Sequence, residues 1–257
     1  MKHIALRSKS VRSGDRPYTC PGLGDRIHSI LMARQYGISH NTPVTVHITD
    51  DKWSVANGKK SDKKKKSWKE IIDLFPENTV YIKPWPVENL YENEWLGFLK
   101  EQGIEAEIYY YKDTAYMHPN ENKTSLEMSQ YLKKPLLMKP KNVSLDLPKK
   151  FITVQWDSTD VGRNISDILL KGIYSKYNCE HIHVGGQSKN DYLKNSLAHI
   201  GYAMSKAEYH VGVDSGMLHV AQLYLPHEKI HIYNKVNGYK SHHLVRAEMN
   251  GSKVFRI

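Results

Sequence analysis

The stretch Ala207–Ala221, AEYHVGVDSGMLHVA, constrains the fold more than any other part of the chain. Val211 and Val213 suit a strand, and Gly212 lets a second backbone or a ligand come close. Asp214 and Ser215 stand where a helix N-cap belongs, ahead of Gly216, Met217 and Leu218. A buried strand that turns tightly into a helix is the junction at which α/β sheets bind ligands. The outward N–H groups of such a helix attract anions such as phosphate, and His219 follows one turn in, facing the same mouth. Asp-Ser is also an ordinary cap, so this stretch alone leaves a purely structural role open.

The neighbouring residues repeat the pattern. Phe151–Trp156, FITVQW, is a near-continuous apolar strand of the kind buried on both faces in a parallel sheet. His181–Gly186, HIHVGG, is a second strand, ending in glycine. Ser196 then opens a helix with apolar positions at Leu197, Ile200 and Met204, and Lys229–Asn234 is the last parallel strand. This alternation predicts an α/β unit built on a parallel sheet.

The runs VGGQSKN, SLAHIGYAMSKAEYHVGVDSGMLHVAQLYLP and IHIYN resemble the C-terminal half of the heptosyltransferase-type enzymes of glycosyltransferase family 9. That family carries D-[TS]-G-x-x-H-x-A at this junction, matched by Asp214, Ser215, Gly216, His219 and Ala221. The resemblance covers about Phe151–Asn234 and implies a GT-B fold: two Rossmann-like domains with parallel sheets facing a cleft, the C-terminal one holding a nucleotide-sugar. It also implies a lysine for the nucleotide phosphates in the loop after the FITVQW strand. Here that loop, Asp157–Arg163, is rich in hydroxyls and offers Arg163 as the nearest match, with Thr159 as a further contact. Arginine suits phosphate through its forked, permanently charged donor set. The Gly185-Gly186 turn would let backbone approach the base or ribose.

The N-terminal half is less distinctive. His3–Arg7 reads as a first strand, followed by a long Ser-, Gly-, Arg- and Pro-rich loop to Pro21. Gly22-Leu23-Gly24-Asp25 leads into a helix continued by Ile27, Ile30 and Leu31, which puts Asp25 in its first turn. The family has a G-x-G-D-like turn here, and the resemblance implies that Asp25 is the general base on the acceptor hydroxyl. An alcohol must lose its proton as it attacks an anomeric carbon, and a placed carboxylate can take it. Asp25 can equally be a helix-start aspartate favoured by the dipole. Arg26 and His28 could bind acceptor anions or be plain surface residues. Pro43–Ile48 alternates as a strand, Trp68–Phe75 suits a short helix and Thr79–Ile82 a strand. A helix over Glu88–Gln102 carries aromatic core residues and stops at Gly103, before a strand candidate at Ala106–Tyr111.

Between Lys133 and Lys150, Pro135, Pro140 and Pro148 among repeated lysines predict a linker. The boundary falls near Pro148, giving domains 1–148 on the acceptor side and 149–257 for the nucleotide-sugar. The final Leu244–Ile257 is expected to cross back onto the first domain.

At 257 residues with 40% hydrophobic content, the chain can fill two such cores. No apolar run approaches the ~20 residues a bilayer requires, and Cys20 and Cys179 are far apart, so a soluble, cytoplasmic protein with free thiols is expected. Lys59, Lys60 and Lys63–Lys66, offset only by Asp62, supply half of the formal net charge of +10. The run reads as a solvated loop, or as a patch for an anionic acceptor or a peripheral membrane contact. Nucleic acid is not expected, because no recognition motif accompanies the charge. His181 and His183 share a face in the spacing of a metal pair, but no third ligand follows, and Asp50-Asp51 diverge on a strand, so no metal or cofactor is expected.

The resemblance implies transfer of a sugar from a nucleoside-diphosphate-sugar to an acceptor hydroxyl, and the basic charge suits an anionic glycan or glycolipid as that acceptor. The resemblance implies inversion, without a metal. Two alternatives stay open. Gly212–Gly216 has the spacing of a nucleophile elbow with Asp214 in the middle, as in an α/β hydrolase, although only 41 residues follow Gly216. A non-catalytic nucleotide-sugar or glycan-binding module is the other.

Overall fold

The computed structural model describes residues 1–6, 10–11, 17–18, 23–50, 52–54, 65–76, 80–87, 90–109, 137–158, 161–235, 244, 247–248 and 250–257. The chain divides into two compact units, the first holding the described residues up to Ser54 and from Lys65 to Tyr109, the second those from Leu137 onward.

The first unit contains β1 (Lys2–Leu6), β2 (Ser10–Val11), β3 (Pro17–Tyr18), α1 (Leu23–Ser39), β4 (Val44–Thr49), β5 (Lys52–Ser54), β6 (Lys65–Ser67), a 3₁₀ segment (Trp68–Leu74), β7 (Tyr81–Trp85), α2 (Glu92–Glu101) and β8 (Glu107–Tyr109). Its main sheet runs β7-β4-β1-β8 with every pairing parallel, while β2–β3 and β5–β6 are small antiparallel pairs. All six residues of β4, VTVHIT, are buried, which fits a central strand covered on both faces. Helix α2 ends where Gly103 adopts φ 73°, a left-handed cap that costs glycine little. Trp95 is fully buried with Leu99, and its indole N–H donates to Leu6 O at 3.0 Å, tying α2 to the end of β1.

A ring chain crosses this sheet. Indole Nε1 of Trp85 is only a donor, so His47 Nδ1, 3.0 Å away, accepts from it. The His47 proton therefore sits on Nε2 and is donated to His3 Nδ1 at 3.0 Å.

The second unit contains β9 (Phe151–Gln155), α3 (Asp167–Tyr174), β10 (Glu180–His183), α4 (Asp191–Asn195), α5 (Leu197–Lys206), β11 (His210–Gly212), α6 (Gly216–Tyr224), β12 (Ile230–Asn234) and β13 (Lys253–Arg256). Its sheet order is β10-β9-β11-β12-β13, all parallel. In chain order that is 2-1-3-4-5, a doubly wound arrangement whose direction of winding switches between β9 and β11. Ile152, Val154, Trp156, Val211, Val213 and Tyr233 form the core on one face, with Ile173 of α3 packed among them. Strand alternation sends Thr153, Gln155, His210 and Gly212 to the other face. Helices α5 and α6 approach closely because Gly201 has no side chain: a Cβ there would lie 2.7 Å from the Tyr224 ring. Met138 joins this unit by donating its N–H to Leu223 O at 2.8 Å.

The last stretch differs from the sequence expectation. Lys253–Arg256 adds β13 to the edge of the second sheet, in register Tyr233↔Phe255, and so belongs to the second unit. The alternating Val254 and Phe255 supply one stacking partner: the Phe255 ring lies 4.7 Å from that of Tyr233. A four-residue edge strand is too short to be recognised from its alternation alone.

Three buried histidines make the fold acid-sensitive. Burial, assisted by the charges of His3 and Lys83, lowers His47 to about 4. Burial alone lowers His210, which meets Thr153 Oγ1 at 3.1 Å, to about 3. Burial and then Lys253 lower His231 to about 4. Below their ordinary value near 6.5 the unfolded chain takes up protons that the folded chain refuses, so stability is full above that pH and lost as pH falls toward 4. Each refused proton costs about 1.4 kcal/mol per pH unit. The urea midpoint is expected to drop steeply between about pH 7 and about pH 5, and an unchanged midpoint would contradict burial of these neutral rings.

Candidate functional site at the carboxyl ends of the second sheet

The site begins with a close approach of two strands. Gly212 lies beside Gln155, and a Cβ on it would sit 2.5 Å from Gln155 O, so only glycine fits the register. Val213 N then donates to the same carbonyl at 3.1 Å. The chain beyond, Asp214 and Ser215, is thereby placed at the end of β9 and directly over the switch in winding.

Ser215 is the N-cap of α6, with extended backbone (φ −153°, ψ 176°), and its Oγ accepts from Met217 N at 3.3 Å. The hydroxyl proton goes to Gln155 Oε1 at 2.5 Å. Gly216 is the first residue of the helix. Arg163 ends a short 3₁₀ turn and reaches across from the β9 loop, its Nη1 donating to Asp214 O at 2.9 Å and to Asp214 Oδ2 at 3.0 Å. Asp214 is 3% exposed and the Arg163 side chain 31%, so the pair has a buried acid and a half-open base.

The loop after β9 is held from two sides. Trp156 N donates to Gln187 Oε1 at 2.9 Å, and Ser158 N to Asn164 Oδ1 at 2.7 Å. Gly185 adopts φ 75°, where a side chain would be strained, and its α-carbon faces Met217: a Cβ would lie 3.4 Å from Met217 Cγ. Gly186 faces Asp157, whose Oδ2 is 3.9 Å from where a Cβ would stand. The Gly185–Gln187 turn, the β9 loop and the start of α6 therefore meet in one place.

The structure brings together Arg163, Gly185, Gly186, Asp214, Ser215 and Gly216. His219, one turn into α6, is 3% exposed, with Nδ1 3.3 Å from Gln222 Oε1. Thr159 lies outside the described residues. In the first unit, Asp25 falls in the first turn of α1 but its side chain is outside the described set, while Arg26 and His28 on the same helix are buried at 2% and 4% exposure. Of the lysine-rich run, Lys59–Lys64 lie outside the described residues.

Gln155 and Asn164 were not singled out by the sequence as site residues, and Gln187 was expected only as part of the Gly185-Gly186 turn, although the side chain of each organises the site. The one available signal was Gln155, a polar residue closing an otherwise apolar strand. His181 and His183 are engaged by aromatic partners: the His181 ring stacks on Tyr174 at 4.3 Å, and His183 Nε2 lies 3.5 Å from Tyr174 OH. Burial lowers both histidines. Among the described residues no group of three or more His, Cys, Asp or Glu could hold a metal ion, and no helix is long and apolar enough to cross a membrane.

Chemically, the arrangement is a helix N-terminus with oriented N–H groups and a guanidinium fixed by a buried carboxylate, beside the Gly185-Gly186 turn. Such a combination receives anions. Asp214 is a weak candidate nucleophile here, because its carboxylate is buried and pinned by Arg163.

No protein-family model matches the sequence, and no curated protein matches it. The whole chain is similar in fold to a solved structure, the glycosyl transferase family 9 protein from Veillonella parvula DSM 2008. The TM-score is 0.58, covering 100% of this chain and 86% of that one. The fold is GT-B-like. At 10% identity the likeness is one of architecture, and it agrees with the two parallel sheets described above.

Removing half of the buried ion pair should be felt in stability. Asp214→Asn keeps the shape but removes the buried charge that Arg163 Nη1 meets at 3.0 Å, and is expected to lower unfolding stability by about 1–3 kcal/mol in chemical denaturation. A loss under ~0.5 kcal/mol would mean that the pair does not anchor the β9 loop.

Proposed function

We propose that the protein is a glycosyltransferase that moves a sugar from a nucleoside-diphosphate-sugar to a hydroxyl of an anionic glycan or glycolipid, with inversion and without a metal ion. The observation that carries this reading is the junction at the switch point, where Arg163 and Asp214 bridge the β9 loop to the capped start of α6. Doubly wound sheets bind their ligands at this position, and a helix N-terminus paired with a fixed arginine suits a diphosphate. The GT-B-like fold supports the same class of reaction.

In the proposed reaction the acceptor oxygen attacks the anomeric carbon and the bond from that carbon to the diphosphate oxygen breaks. The electron pair leaves with the nucleoside diphosphate. Arg163 and the N–H groups at the start of α6 would stabilise the charge that develops there. Asp25 is the proposed base for the acceptor proton, with Arg26 and His28 following it on α1. Thr159, Gly185, Gly186, Ser215 and His219 complete the proposed donor side. A cytoplasmic location with a peripheral membrane contact through Lys59–Lys66 would suit a lipid-borne acceptor.

A thermal-shift screen against nucleoside diphosphates and their sugars, with EDTA present, tests the donor site. A ligand at 100 times its Kd adds about 2.7 kcal/mol. One nucleotide is expected to raise Tm, and Arg163→Ala to lose most of that shift. No shift with any nucleotide would remove the support for a transferase.

Asp25→Asn separates catalysis from binding. It is expected to keep the donor shift and lower transfer by at least ~100-fold. Unchanged transfer would disqualify Asp25 as the base, and a wild-type protein that binds donor without turnover would instead be a binding module.

A further inference from the structure

We propose that Gln155 is a ligand-binding residue, its side-chain amide donating to a phosphate oxygen of the bound nucleotide. This rests on the donor-site reading above and assigns a contact that the sequence pattern did not suggest.

The hydroxyl of Ser215 would be the obvious hydrogen-bond donor to an anion at the start of α6. Its bonds are already committed: it accepts from Met217 N at 3.3 Å and gives its proton to Gln155 Oε1 at 2.5 Å. Those two contacts fix the Gln155 amide, because an oxygen held by Ser215 leaves the NH2 end facing away from it. Gln155 is 6% exposed, and among the described residues no acceptor takes its N–H groups. The amide of a glutamine more than nine-tenths buried, oriented by its oxygen and unclaimed at its nitrogen, is a preorganised donor.

Its location identifies the ligand atom. Gln155 ends β9 at the switch in winding, next to the first residues of α6, and its Cγ is 4.0 Å from where a Gly185 Cβ would stand. The donors nearby are the N–H groups at the helix start and the Arg163 guanidinium, and Asp214 is turned to Arg163. An amide donor added to that set fits an oxyanion, and the phosphate group is the part of a nucleotide that carries one. Ser215 then acts through Gln155 as a positioning residue.

The substitution Gln155→Glu keeps an acceptor for Ser215 and replaces the NH2 group by a second oxygen. The full-length protein would be titrated with UDP, ADP, GDP and CDP, and with the corresponding unphosphorylated nucleosides, by calorimetry. For the diphosphate that the wild type binds, Gln155→Glu is expected to weaken affinity by about 10- to 100-fold, with nucleoside affinity unchanged. Equal diphosphate affinity, or equal loss for diphosphate and nucleoside, would overturn the assignment. If Gln155→Glu does not fold, Gln155→Met removes the donors without adding charge and is expected to weaken the diphosphate alone, by about 3- to 10-fold. A wild-type protein that binds none of the diphosphates would overturn the donor-site reading itself, and the role of Gln155 with it.

Discussion

The second unit depends on one contact that only glycine allows, the approach of Gly212 to Gln155 O. With that carbonyl taken by Val213 N, β11 must stay in parallel register with β9 to its last residue. The register sets where β11 ends, and the end of β11 sets where α6 begins. From there the ion pair, the N-cap and the Gln155 amide follow as neighbours, because Asp214 and Ser215 have no other place to go. A bulkier residue at 212 would separate the strands at the position where the sheet changes its direction of winding.

Much of this was legible because it is local. Valines flanking a glycine, then Asp-Ser-Gly and an apolar run, describe a strand, a turn and a capped helix within fifteen residues, and Ser215 does cap α6. The N-cap of α5 is likewise a serine, Ser196, its Oγ accepting from His199 N at 3.4 Å. What the sequence did not reveal is pairing across long separations. Arg163 and Asp214 are 51 positions apart and Gln155 and Ser215 are 60 apart, and neither distance leaves a trace in composition or periodicity. Arg163 could be foreseen as a cation near an anion site, but not as one already fixed by Asp214. Strand β13 was missed for a related reason: four residues at a sheet edge take their conformation from β12.

The first unit shows the same division between local and distant. Helix α2, its left-handed glycine stop and the aromatic side chains on it follow from residues near one another. The chain from Trp85 through His47 to His3 joins three strands and fixes a tautomer, and no single strand announces it. It also explains why a histidine can occupy a fully buried central strand. A neutral ring with both nitrogens bonded carries no unpaired polar atom into the core, at the cost of refusing a proton when the medium becomes acidic.

The charge distribution separates the site from the basic character of the chain. Half of the formal +10 sits in Lys59–Lys66, whereas Arg163 is already balanced by Asp214. An anion bound at the switch point, as proposed, would therefore be held by oriented dipoles more than by net charge: the α6 N–H groups, the helix dipole and the Gln155 amide. Dipoles fixed by packing act over a few ångströms and fall off faster than a charge, so they select an oxyanion by its position. Long-range attraction to an acidic partner needs net charge instead, which is where a lysine-rich run is effective. Under the proposed function the two features would recognise a small phosphate ligand and a large anionic surface by different physics, because salt screens the second far more than the first.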